Sequence, residues 1–147
     1  MIFNAFQRED DDAVFTVVRN VAGETLSVGY PCVWDISASG DGVRVSKAAA
    51  GTLSLFRGVV AETQIADSGY GKVQVHGRFT DASVIGSTDV TLAAGMVLKA
   101  TAAQNYLELS VETPVGNEGF VYFADGTSLA TATTPAATTK DILLRAL

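Results

Sequence analysis

The sequence is poor in the residues on which most catalytic chemistry depends. It holds one cysteine, Cys32, and one histidine, His76, in 147 residues. A single cysteine excludes an internal disulfide framework and suits folding in a reducing cytoplasm. The two residues could form a nucleophile–base pair, but such a pair needs a third, orienting group and a pocket. We therefore expect Cys32 to be a small buried hydrophobe beside Trp34, and the protein not to be an enzyme.

Basic residues are also scarce. Ten Lys and Arg stand against sixteen Asp and Glu, which gives a formal net charge of −6. Binding to a nucleic-acid backbone or to an anionic membrane surface needs a basic face, so we expect neither partner. No apolar run approaches the length that spans a bilayer. The first residues, MIFNAFQREDDD, lack the basic and apolar regions of a secretory signal, so the expected site of synthesis is the cytoplasm.

Two motifs suggest a phosphate or a metal site, and both are incomplete. The stretch GYGK would need a glycine and a hydroxyl residue where Ala66 and Val73 stand. The stretch DISASGDGVRVS, which begins at Asp35, has Ser46 where a calcium loop has its bidentate glutamate. Turns explain both stretches better, and we expect no cofactor and no metal.

Short apolar runs separated by Gly, Asp and Asn turns make up most of the chain. In KVQVHGRF (72–79) the odd positions carry the apolar residues and the even positions are polar, which predicts a strand with one buried and one solvated face. His76 lies on the solvated face. The segments with strand character are 13–18, 30–36, 43–48, 55–63, 72–79, 96–101, 106–112, 119–124 and 141–147. With no sustained helical stripe, and at most one helical turn in DVTLAAGM, the pattern predicts an all-β fold: a compact β-barrel or β-sandwich of about nine short strands.

The two halves of the chain repeat an order of features. VGYPCVWDI, DGVRVSKA and LFRGVVAE are followed later by AGMVLKA, NYLELSVE and GFVYFADG. Two similar halves that close one barrel would produce this order. Residues 127–139, rich in Thr and Ala, are predicted to be a loop or linker.

The N-terminal residues 1–12 are predicted to be an extended arm, and residues 13–147 a single domain. The arm combines Ile2, Phe3 and Phe6 with the acidic run 9–12. Three apolar side chains in so short a segment cannot cover one another, so we expect the arm to dock on a neighbouring protomer or on a larger assembly.

Two further segments are candidates for contact with other molecules. The run from Phe120 to Phe123, which includes Tyr122, is apolar on both faces and should be covered on both sides. The C-terminal strand, with Leu144, is also strongly apolar. We therefore predict that Phe120, Tyr122 and Leu144, together with the apolar arm residues, are interface residues.

An ordered set of segments resembles a family of known proteins. These are GYPCVWD, DGVRVSKAAAGTLSLFRGVVAE, IADSGYGKVQVHGRF, AAGMVLKA and LATATTPAATTKDILLRAL, which together span residues 20–147. They are similar to the capsid decoration proteins of tailed bacteriophages, also called cement or head-stabilising proteins. The resemblance implies a β-barrel or β-sandwich protomer that forms a homotrimer and binds the major capsid protein on the outer surface of the phage head. It implies no active site.

An acidic surface suits the outside of a head whose DNA lies within. One alternative is a carbohydrate- or receptor-binding β-module of a phage tail or fibre, which would use exposed aromatic residues; Trp34 and Tyr70 are the candidates. The other alternative is a hydrolase built on Cys32 and His76.

Overall fold

The computed structural model describes residues 13–36, 42–49, 55–110 and 121–145. These residues form an all-β fold with eleven strands and no α-helix. The strands are β1 (Val14–Asn20), β2 (Leu26–Ser27), β3 (Pro31–Trp34), β4 (Arg44–Ser46), β5 (Phe56–Val60), β6 (Gln64–Ile65), β7 (Tyr70–Ile85), β8 (Val97–Ala100), β9 (Leu107–Leu109), β10 (Val121–Phe123) and β11 (Ala137–Arg145).

The first half of the chain forms a closed five-stranded barrel. Its strands pair in the order β1-β4-β3-β5-β7, and β7 pairs back with β1, so that the sheet has no free edge. Inward-facing residues of all five strands, with Leu26 and Ile65 of the β2–β6 ribbon, form its core. The buried residues of this core are Val18, Leu26, Cys32, Val45, Val60, Ile65, Val73 and Val75.

A second circuit of strands grows from the far half of β7. Its order is β7-β11-β10-β8-β9, and Leu107 of β9 pairs with Val84 of β7 to complete the circuit. We call the barrel the first unit and this circuit the second unit. The 16-residue strand β7 belongs to both, because its N-terminal part pairs with β1 and β5 and its C-terminal part with β11 and β9.

The two units have the same topology. In the first, β1 is parallel to β4, β3 lies between β4 and β5, and β5 pairs with β7. In the second, β7 is parallel to β9, β8 lies between β9 and β10, and β10 pairs with β11. The β2–β6 ribbon of the first unit is matched by a single bridge between Leu92 and Leu129.

Individual hydrogen bonds repeat as well. Gly29 N–H donates to Val60 O (2.9 Å), and Gly95 N–H donates to Phe123 O (2.8 Å). In return, Val60 and Phe123 each donate to the residue that follows the corresponding glycine. Both glycines have positive φ, +82° and +90°. The repeat read from the sequence is confirmed, but its halves form two units that share a strand and do not close one barrel.

Strands β3 and β5 are apolar on both faces because the second unit packs on the outside of the first. Cys32 and Val60 point into the barrel, whereas Val33 and Val59 belong to the core of the second unit. That larger core also holds Ala48, Phe79, Ala82, Val84, Leu92, Leu98, Ala100, Leu107, Val121, Phe123, Ile142 and Leu144. The molecule therefore has two cores joined through a shared wall of β3 and β5.

The nine predicted strands are confirmed, and the structure adds two short strands that were not predicted, β2 and β6. Three other details differ from the prediction. Strand β7 was expected over 72–79 and continues to Ile85, since pairing with β11 extends it past the apolar pattern. Strand β11 begins at Ala137, within the predicted loop 127–139, because the threonines there pair with the end of β7. The segment DVTLAAGM was predicted to hold at most one helical turn. It contains no helix: Leu92 forms an isolated β-bridge with Leu129, and a non-helical turn follows.

Candidate interaction surfaces

Cys32 is a core residue in the first unit. Its side chain is fully buried, and its thiol donates to the carbonyl oxygen of Gly58 (3.5 Å) instead of contacting His76. Burial raises the pKa of the Cys32 thiol to about 12, and the nearby Arg57 guanidinium opposes this shift in part. A thiolate is the nucleophilic form of cysteine, so this thiol is inert near neutral pH. The expectation of a buried, structural cysteine is confirmed.

The polar face of β7 is less solvated than its sequence indicates. Lys72 and Arg78 are exposed, but His76 is only half-buried and Gln74 is almost fully buried, at 3% exposure. The Gln74 amide donates to the carbonyl oxygens of His76 (3.1 Å) and Arg78 (2.9 Å). These bonds lie where the edge of β7 changes its partner from β5 to β11. Gln74 thus satisfies backbone groups at the junction of the two units, which a pattern of alternation cannot reveal.

The regions with phosphate-like and calcium-like motifs behave as turns and ion pairs. Gly69 N–H donates to Ala66 O (2.9 Å) in the turn between β6 and β7. Asp35 forms an ion pair with Arg44 (3.2 Å) across β3 and β4; residues 37–41 of that motif lie outside the described part. Within the described ranges, no group of three or more His, Cys, Asp or Glu side chains has the arrangement of a metal site.

The two aromatic residues considered for carbohydrate binding differ in environment. The Arg57 guanidinium lies over the Trp34 ring, 4.6 Å from its centroid, in a cation–π arrangement. One face of Trp34 is therefore covered. Tyr70, at the start of β7, is 66% exposed.

The start of β1 carries an exposed apolar surface. Val14, Phe15 and Val17 are 41%, 50% and 60% exposed, although each belongs to a paired strand. We call these three residues the leading face. Exposed apolar side chains that cluster on one strand are typical of contact sites. The predicted arm 1–12, which lies outside the described residues, would leave the barrel at this face.

A second apolar surface crosses strands β8, β10 and β11. Val97, Tyr122 and Leu143 lie side by side in register, and we call this row the trailing face. Val97 and Tyr122 are half-buried and Leu143 is 38% exposed. Ala94, Gly95 and Arg145 complete an open depression around Tyr122 and Leu143.

The predicted interface residues are placed as follows. Tyr122 lies on the trailing face, between Val121 and Phe123, which are buried. Leu144 is fully buried in the core of the second unit, so the prediction that it lies at an interface is wrong. Its neighbour Leu143 is the exposed residue. Successive side chains of a strand point to opposite faces, so the sequence pattern of β11 could have indicated which of Leu143 and Leu144 is exposed. Ile2, Phe3, Phe6 and Phe120 lie outside the described residues.

Comparison with known proteins adds no identification. Models of known protein families give no match, and no curated protein matches the sequence. Among the described residues there is no helix of the length and apolarity that would cross a membrane.

Proposed function

We propose that this protein is a non-enzymatic structural protein of a tailed-bacteriophage head. It binds the major capsid protein on the outside of the shell as a homotrimer and stabilises the capsid. It is made in the cytoplasm of the bacterial host and ends in the virion. The ordered resemblance of residues 20–147 to capsid decoration proteins suggests this role.

The observation that carries the proposal is the pair of apolar surfaces on an otherwise acidic protein. The leading face exposes three large apolar side chains, and the trailing face adds Tyr122 and Leu143. Such surfaces favour contacts with other protein molecules over turnover of a small substrate. Cys32 is buried and its thiol pKa is raised, which argues against the nucleophile–base pair of Cys32 and His76 that the sequence suggests.

The direct test is a decoration assay. Purified protein is incubated with mature heads that lack it, and the heads are imaged and heated. We expect density at regular positions outside the shell and a higher temperature of head disruption. An unrelated acidic β-protein of similar size is the control. Heads that remain bare at saturating protein concentration would contradict the proposal.

A carbohydrate-binding module of a phage tail or fibre is the second candidate, favoured by Tyr70. Tyr70 is 66% exposed beside the turn that contains Asp67 and Ser68, an arrangement that suits stacking of its ring on a sugar. A glycan array with the wild-type protein and the Tyr70→Ala variant tests it. Binding that the variant loses would support this function, and an array without signal would argue against it.

A further inference from the structure

A row of polar residues crosses the outer face of the first unit from β7 to the end of β3. Tyr70 of β7 pairs in register with Arg19 of β1, and Arg19 pairs with Arg44 of β4. Asp35 continues the row, because its N–H donates to Arg44 O (3.0 Å). Val18, the neighbour of Arg19, belongs to the barrel core, so Arg19 and its partners point outward. We call these four residues the arginine row.

The arginine row has more positive charge than its neighbours neutralise. Arg19 and Arg44 lie in register on adjacent strands, where like charges repel. Asp35 forms an ion pair with Arg44 (3.2 Å), but Arg19 has no ion pair with a described residue, and its buried Nε donates to no acceptor there. Lys72, which is exposed two residues after Tyr70, adds a third cation to this face. An anionic group would therefore be stabilised here, although the net charge of the protein is −6.

The turn before Tyr70 is fixed to the end of β1. Ser68 N–H donates to Asn20 O (2.9 Å), and Asn20 N–H donates to Gly69 O (2.9 Å). These bonds hold the backbone of Tyr70 beside that of Arg19, while Tyr70 itself remains 66% exposed. A site whose backbone is already held by a paired sheet loses little conformational freedom when a ligand binds.

We propose that the arginine row binds a sugar that carries a carboxylate, such as a uronic or sialic acid residue of a polysaccharide. The sugar ring stacks on Tyr70, and its carboxylate accepts hydrogen bonds from the planar guanidinium of Arg19. Neighbouring strands are about 4.8 Å apart, and in such a sugar the carboxylate is joined directly to the ring, so one sugar residue spans both side chains. The inference rests on the carbohydrate-binding function given above as the second candidate, and it names the class of sugar.

Other anionic partners fit this face less well. A nucleic acid is an extended polyanion, and beyond the arginine row it would meet a protein of net negative charge. An acidic protein segment offers a carboxylate that is not joined to a ring, so it would use Arg19 without needing Tyr70. Dependence of binding on both side chains therefore distinguishes a sugar acid from an acidic peptide.

The test compares ligands that differ only in the charge of the carboxylate. A trimer of galacturonic acid and sialyl-lactose are each titrated into isotope-labelled protein beside their methyl esters, and amide NMR signals are followed. We expect at least one of the two acids to shift signals of β1, β4 and the start of β7, and which acid does so identifies the source of the carboxylate. Its methyl ester should bind about tenfold more weakly or worse, and added salt should weaken binding of the acid.

Variants then assign the contacts. Arg19→Gln and Tyr70→Ala should each weaken binding of the acid about tenfold or more, whereas Tyr70→Phe keeps the ring and should bind like the wild type. Arg145→Gln is the matched control, because it removes one exposed positive charge from the second unit and should change nothing. Thermal melting checks that each variant is folded. Lys72→Gln alters an exposed residue, should weaken binding about threefold, and tests the charge of the face should Arg19→Gln fail to fold.

Three outcomes would overturn the inference: neither acid shifts signals of the arginine row, the methyl esters bind as tightly as the acids, or Tyr70→Ala binds like the wild type. Poly-glutamate that binds as tightly as the sugar acids would assign the face to an acidic protein instead. The glycan array separates this inference from the function on which it rests. If neutral glycans bind through Tyr70 and acidic ones bind no better, carbohydrate binding stands and the carboxylate site is wrong; if no glycan of either kind binds, both are wrong.

Discussion

Gly58 lies where the backbone of β5 closely approaches residues of β7. A Cβ atom at this position would overlap the carbonyl oxygen of Gln74 and lie 2.8 Å from Cγ1 of Val73, and φ is +156°. We expect Gly58→Ala to destabilise the protein by about 1–3 kcal/mol or more, because backbone cannot move aside as a flexible side chain can. Chemical denaturation measures the change. Gly126→Ala is the matched control, since nothing lies within 4 Å of its added Cβ; equal effects of the two substitutions would contradict the close approach.

Cys32 gives a second prediction at the scale of a residue. Burial raises the pKa of its thiol to about 12, so the neutral thiol persists throughout the range in which the protein would be handled. We expect labelling by a thiol-specific disulfide reagent at pH 8 to be very slow in the folded protein and rapid in denaturant. Rapid labelling of the folded protein would mean that the barrel opens readily or that Cys32 is not in its core.

Gln74 stabilises the point at which the strand paired with β7 changes from β5 to β11. Its side-chain amide donates hydrogen bonds to the carbonyl oxygens of His76 and Arg78 there. Gln74→Met keeps the approximate length of the side chain and removes two donors. We expect a loss of about 1–3 kcal/mol in the free energy of unfolding, because the His76 and Arg78 carbonyls lose a buried partner. Gln64→Met, on the exposed face of β6, serves as the control. A loss no greater than that of the control would indicate that water replaces the amide.

The turn after β10 is connected to β11 through Asp125. Its carboxylate accepts the Thr127 N–H (2.8 Å) and pairs with Lys140 (3.1 Å), and these contacts lower the pKa of Asp125, the Thr127 hydrogen bond most. Because the pKa of Asp125 is lower in the folded state than its ordinary value of 3.8, the ionised carboxylate stabilises the folded protein at pH values above 3.8. This stabilisation is lost as the pH falls through the lowered pKa.

We therefore expect Asp125→Asn to melt at a lower temperature than the wild type at pH 7. The difference should stay constant down to about pH 5 and shrink below about pH 4, where the wild-type carboxyl becomes protonated. Melting curves across this range measure it. A difference that is independent of pH down to pH 2 would assign the effect to packing instead of charge.

At the scale of the whole molecule, the two cores that the structure describes draw their residues from position 18 onward. Deletion of residues 2–7 should therefore leave the melting temperature nearly unchanged. The predicted docking of Ile2, Phe3 and Phe6 would be lost, so we expect weaker self-association and weaker decoration of heads. Unchanged association and decoration would show that the arm takes part in neither.

The sequence alone determined the local structure. Period-two alternation and glycine turns predicted the strands, the buried Cys32 and the order of the two halves, because side-chain direction in a strand depends only on neighbouring residues. Tertiary structure alone decided that β7 serves both units, that Gln74 is buried on a polar face and that Val59 is covered while its equivalent Tyr122 is half-buried. Those features depend on which strands meet across long separations in the chain. The two units have the same topology but different environments, because the second unit covers one face of the first. A local sequence pattern shows which side chains share a face of a sheet, but not what packs against that face.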